Sequence, residues 1–160
     1  MNSPPKSHPQ KTWGWELATH GETLARVLGG YPSFHDSAVH SFCMRRERQT
    51  REDGDGRLLP GARTRELVDV RLEVLHNRYG APAVDGRPDQ MVVLDCLDVR
   101  TSEIDVNAML EEATIMEMTL AQAPGASIQL DLMPNVGLDI RLTCKEVVIV
   151  DVRPYVREVS

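Results

Sequence analysis

The cleanest periodic signal in the chain lies at residues 66–76, where Val68, Val70, Leu72 and Val74 alternate with Asp69, Arg71 and Glu73. A period of two marks a strand with one face buried and the other in solvent. The same pattern predicts strands at 90–99, 114–121, 128–132 and 138–144, with a short one around Ile104 and Val106. A strand at 37–45 carries Ala38, His40, Phe42 and Met44 on one face and Val39 and Cys43 on the other. Residues 147–152 are apolar on both faces, which predicts a central or doubly covered strand stopped by Pro154. Helical spacing occurs in one place, at Leu24, Val27 and Leu28, where Gly29 ends a short helix over 22–28 that residues 16–21 could extend.

Between these segments lie turn signals. Pro124-Gly125 reverses the chain, as does Met133-Pro134-Asn135-Val136-Gly137. Gly80, Pro82 and Gly86-Arg87-Pro88 punctuate a long loop over 77–89, and around Met109–Ala113 a helical turn competes with loop. Residues 46–64 read as a long charged loop in which arginines interleave with Glu47, Glu52, Asp53 and Asp55. Its Asp53-Gly54-Asp55-Gly56 run is half of a calcium loop, but Arg57 stands where a ligand belongs and no Glu closes it, so it reads as a solvated turn. Seven or eight short strands without strand–helix–strand alternation predict a mainly β protein. Its antiparallel sheets form a sandwich or open barrel, with one short N-terminal helix. Residues 1–11, with three prolines, are expected to form a disordered tail, and 12–160 a single globular domain.

The stretch Tyr31-Pro32-Ser33-Phe34-His35-Asp36 joins the helix to the first strand. Pro32 favours an extended Tyr31. Tyr31 and Phe34 are two of the five Phe and Tyr residues in the chain, so packing this corner is an economical way to fix it. His35-Asp36 is the most chemically loaded pair. A metal site would need further ligands, yet His35 and His40 are five apart, on opposite faces of an extended strand. Ser33 and His35 lack a Gly-x-Ser-x-Gly elbow, and Cys43 lies in an apolar stretch that raises a thiol pKa. The structural reading is stronger: an Asp after a tight turn accepts backbone N–H groups, and the neighbouring His ties the turn to a strand edge. On that reading, His35→Ala or Asp36→Ala lowers thermal stability. The alternative is a small enzyme or a ligand- or metal-binding module using His35, Asp36 and His40.

Charge and cysteine content change this picture little. A net charge of −6 argues against nucleic-acid binding and suits a basic protein partner. Cys43, Cys96 and Cys144 lie about fifty residues apart, form neither a disulfide framework nor a zinc pattern, and are expected to be buried thiols in a reducing compartment. No signal-like or membrane-length apolar run is present, so a cytoplasmic protein without membrane contact is expected. Trp13 and Trp15 are expected to anchor the chain start on the domain surface or to face a partner.

The run from Leu28 to Val39, with Pro32-Ser33-Phe34-His35-Asp36 at its centre, resembles the signature of the Immunity protein 50 family of bacterial polymorphic-toxin systems. That family opens with a Trp-containing segment and a short helix before this turn. Leu67–Leu75, Val92–Cys96 and Ile140–Val147 are similar to its later strands, so the likeness extends over 13–153. The resemblance implies a non-enzymatic protein that binds and neutralises a cognate toxin, with no catalytic residue, cofactor or metal. Acidic residues such as Asp69, Glu73, Glu111, Glu112 and Glu117 are then candidate contacts, and exposed strand edges leave a homodimer open.

Overall fold

Alternation along the chain becomes six antiparallel strands among the residues that the computed structural model describes, 11–49, 65–76, 89–106 and 113–155. They are β1 (Ala38–Gln49), β2 (Arg65–Leu75), β3 (Asp89–Asp105), β4 (Thr114–Ala123), β5 (Ser127–Val136) and β6 (Asp139–Tyr155). In the order β1-β2-β3-β6-β5-β4 they form a closed barrel. A single α-helix, α1 (Glu22–Leu28), and a 3-10 turn at Trp15–Leu17 precede them.

The mainly β class is as expected, but six long strands replace seven or eight short ones, and the sheet closes. Two fusions account for the count. The predicted strands at 90–99 and Ile104–Val106 are one strand, β3, because the polar residues between them keep their ladder to β6: Ser102 pairs with Leu142 and Glu103 with Arg141. Likewise 138–144 and 147–152 are one strand, since Lys145-Glu146 interrupts the apolar pattern without interrupting pairing. Polar residues in the middle of a strand break the sequence signal and leave the hydrogen bonds intact. β3 absorbs the interruption by bulging between Val93 and Leu94 and again between Val99 and Thr101, with Asp98 at φ 55°.

Other boundaries move for similar reasons. β1 runs to Gln49, paired with Arg65, so 46–49 of the predicted loop are strand; 50–64 lie outside the described residues, as do 1–10, 77–88 and 107–112. β5 continues through Met133–Val136, and the reversal falls at Gly137 (φ 99°). β6 continues past Pro154, which pairs with Gln90, to Tyr155. The segment 16–21 does not extend α1; it is the end of the 3-10 turn followed by an extended link at Ala18 and Thr19.

The barrel interior is a packed apolar core rather than a channel. Val70, Leu72, Val92, Leu94, Met118, Leu130, Leu142 and Cys144 are each fully buried there. Each large apolar side chain so buried contributes about 1.5–3 kcal/mol. Trp15 belongs to this core at 0% exposure, and Trp13 packs half-buried against it. Trp15 is therefore part of the core, while Trp13, with the Lys11 ammonium over its ring, anchors the chain start at the surface as expected. The chain start laces the strand edges that the barrel leaves open. Trp13 O accepts from Leu120 N of β4, while Thr19 bonds β6 through Val147 O and Ile149 N. Val148 is half-buried beside that bridge, whereas Val150 is exposed, so β6 is covered on both faces only in part.

Cys96 and Cys144 are buried, but Cys43 is exposed. A register shift between Val39 and Ser41 rotates β1, turning Phe42 towards the core, and its single ladder pair to β4, Ala38–Thr114, leaves the rest of β1 beyond the closure. No described helix is long and apolar enough to cross a membrane.

Candidate functional site

The corner at residues 29–37 is where the barrel closes. Gly29, at φ 84°, donates its N–H to Ala25 O and stops α1 in the left-handed conformation that glycine reaches without a Cβ clash. Pro32 is buried. Phe34 is 2% exposed and adopts φ 61°, a strained conformation for a bulky residue, held there by its packing. Its ring meets Trp15 edge-on at 5.2 Å and His76 at 6.0 Å. Asp36 also sits at φ 61°, a conformation that Asp tolerates better than most residues.

From Ser33 to Ser37 the backbone becomes the missing edge of β4. Ser33 O accepts from Met118 N (2.9 Å), Asp36 N donates to Ile115 O (2.7 Å), and Ile115 N donates to Ser37 O (2.9 Å). Val39 N donates to Ala113 O, which carries the seam into β1. Side chains reinforce it. Ser33 Oγ accepts from His35 N, and Asn135 of β5 donates to both Asp36 Oδ1 (3.3 Å) and Ile115 O (3.1 Å). The buried Ser37 hydroxyl donates to His76 O (2.8 Å), fastening the end of β2 to the same corner.

The imidazole of His35 stands outside this seam. Its Nδ1 lies 3.2 Å from Asp36 Oδ2, and the side chain is 61% exposed. His40 lies in β1, with its ring edge-on to Tyr155 at 5.9 Å. The structure thus gives His40 a different neighbour from the His35–Asp36 pair. Among the described residues, no group of three or more His, Cys, Asp or Glu side chains is arranged to hold a metal ion. His76, behind Phe34, is held below the usual histidine range by burial, against the opposing pull of the Asp89 carboxylate.

The predicted contact residues do not share one surface. Asp69 and Glu73 lie on β2, where Asp69 Oδ1 accepts from Asp98 N (2.9 Å) and pins the β3 bulge. Glu73 flanks Arg71, whose guanidinium makes a two-bond pair with Asp95 (2.7 and 2.9 Å). Glu111 and Glu112 lie outside the described residues. Glu117, on β4, lines an open depression of about 320 Å³ on the outer wall of β4, β5 and β6, together with Thr119, Asp131, Met133, Asp139 and Arg141. Sequence reasoning missed Asn135, Asp131, Asp139 and Arg141. The last three were legible only as outward positions of alternating strands, and their convergence depends on the register between strands. Neither His35, Asp36 nor His40 lines this depression or the neighbouring one formed by Glu103, Ile104, Asp105, Asp139 and Arg141.

Compared with protein-family models, with curated proteins and with solved structures, the chain shows no match to any of them.

Proposed function

We propose that this protein is a non-enzymatic, cytoplasmic immunity protein that binds and neutralises a cognate toxin domain, as its resemblance to the Immunity protein 50 signature implies. The observation that supports this reading most directly is the role of the signature itself. Ser33, Phe34 and Asp36 spend their backbone bonds and aromatic packing on closing the barrel between the corner and β4. A motif whose residues are engaged in closing the fold fits a protein whose work is to present a surface. A second reading, a small enzyme or ligand-binding module, draws on the exposed His35 imidazole beside Asp36.

One experiment separates them. The full chain is co-expressed with the product of a toxin gene adjacent to its own, and the complex is purified. The immunity reading expects protection of the host cells and co-purification, both retained by His35→Ala. Loss of protection in His35→Ala at unchanged melting temperature, or a metal co-purifying with the parent and lost in that variant, would favour the second reading.

A further inference from the structure

Two of the three cysteines meet inside the barrel. Cys96 of β3 and Cys144 of β6 are both fully buried and belong to one core cluster. Their strands are neighbours, with Cys96 the ladder partner of Val147 and Val99 that of Cys144. On a regular ladder residues three apart face opposite sides, which would keep the two thiols apart. Here the alternation breaks on both strands at the same height. Cys144 and Val147 are both buried with exposed Lys145 and half-buried Glu146 between them, and on β3 Asp98 takes φ 55° between Cys96 and Val99. The two irregularities turn both cysteines inward, at opposite corners of the cell formed by Cys96, Val147, Cys144 and Val99.

The thiols act on each other across that cell. A hydrogen bond from Cys96 to Cys144 pushes the Cys96 thiol well above the usual range, and burial adds to the push. The same bond draws the Cys144 thiol below that range, against the opposing effect of its burial. Cys144 Sγ in turn donates to Glu146 O at 3.5 Å. One sulfur therefore releases its proton more readily than the other. Those are the two roles, attacking and resolving, that forming a disulfide requires.

We infer that Cys96 and Cys144 are a reversible redox pair, which hydrogen peroxide closes into a disulfide between β3 and β6 and small thiols reopen. The Cys144 thiolate attacks one peroxide oxygen, the O–O bond breaks, and the departing hydroxide takes up a proton to leave as water. The Cys96 sulfur then attacks the resulting sulfenic sulfur, and the hydroxyl group leaves with the Cys96 proton as a second water. Two thiols thereby lose two electrons, and one peroxide becomes two waters. Both sulfurs lie beneath the surface, so peroxide reaches them only as the ladder opens locally, and the reaction on the folded chain is slow. The diagonal of a regular ladder spans about 7–8 Å between Cα atoms, slightly more than a disulfide bridges, so the strands draw together as the bond closes. A bond formed under that constraint is easily reduced, which suits a transient link in a reducing compartment rather than a permanent staple.

Cys43 is exposed and could link two copies, so the test uses the full chain carrying Cys43→Ser. The folded protein is held in hydrogen peroxide for hours, then denatured in an alkylating agent, weighed and digested. Expected are a loss of about 2 Da, no alkylated cysteine, and a fragment joining the Cys96 and Cys144 peptides. Dithiothreitol should return two thiols that alkylate. In the further variant Cys96→Ser the sulfenic acid has no resolving sulfur, so Cys144 should instead gain about 16 Da or more. Should that variant fail to fold, the fragment map of the Cys43→Ser chain decides alone. Two thiols still alkylated after peroxide, oxygen added without a cross-link, or a disulfide found only between copies each overturn the inference.

Discussion

At the scale of single residues, the seam depends on a few backbone conformations that ordinary side chains resist. Gly14 has φ 85°, and a Cβ built there would lie 1.8 Å from Leu120 O. Gly14→Ala therefore forces apart the chain start and β4, and is expected to destabilise the fold by more than about 2 kcal/mol in chemical denaturation. Asp36 is a subtler case. Asp36→Ala loses the Asn135 bond and places a Cβ in the left-handed region without a compensating polar group, a cost of about 1–2 kcal/mol. Asp36→Gly loses the same bond without the conformational penalty, so it should melt higher than Asp36→Ala. His35→Ala removes an exposed ring whose one polar contact is to the exposed Asp36 carboxylate, and should shift stability by less than about 0.5 kcal/mol. The sequence expectation treated His35 and Asp36 as one structural unit; the geometry divides them, with Asp36 inside the seam and His35 outside it. That division was not legible from adjacency, because it depends on a positive φ that no residue pattern announces at an Asp.

Element by element, the strands were legible where polar and apolar residues alternate without interruption, as in β2 and β4, and illegible where a strand pays for length with polar residues. β3 carries Arg100–Glu103 towards its C-terminal end and β6 carries Lys145-Glu146 near its middle, and in both the ladder decides what the pattern cannot. The end of β2 shows the converse, a polar residue drawn inward by tertiary context. His76 packs against Phe34, and its neutral form is favoured because burial disfavours the imidazolium. Its folded-state pKa is below the unfolded value, so between the two the unfolded chain binds more protons, and stability falls as pH drops through that window. Melting measured from pH 7.5 down to pH 5 should show this loss, and His76→Phe, which keeps a ring and removes the proton site, should flatten it. An equal pH dependence in the variant would assign the effect to other groups.

For the whole molecule, closure is uneven. β3 and β6 share a ladder along most of their length, bulged at two points, whereas β1 and β4 meet in one ladder pair, and the corner and chain start supply the remaining bonds. A barrel fastened so asymmetrically should open first at its weakest join, since local openings need break only the bonds of one region. Amides of Asp36, Val39 and Ile115 are therefore expected to exchange with deuterium well before those of Leu94 and Ile149. Phe34→Ala, which removes the ring wedged between Trp15 and His76, should cost about 3–5 kcal/mol and speed the seam amides more than those of the β3–β6 ladder. Seam amides protected to the same degree as the β3–β6 ladder would mean that the barrel opens only as a unit, and the corner would then be an ordinary turn.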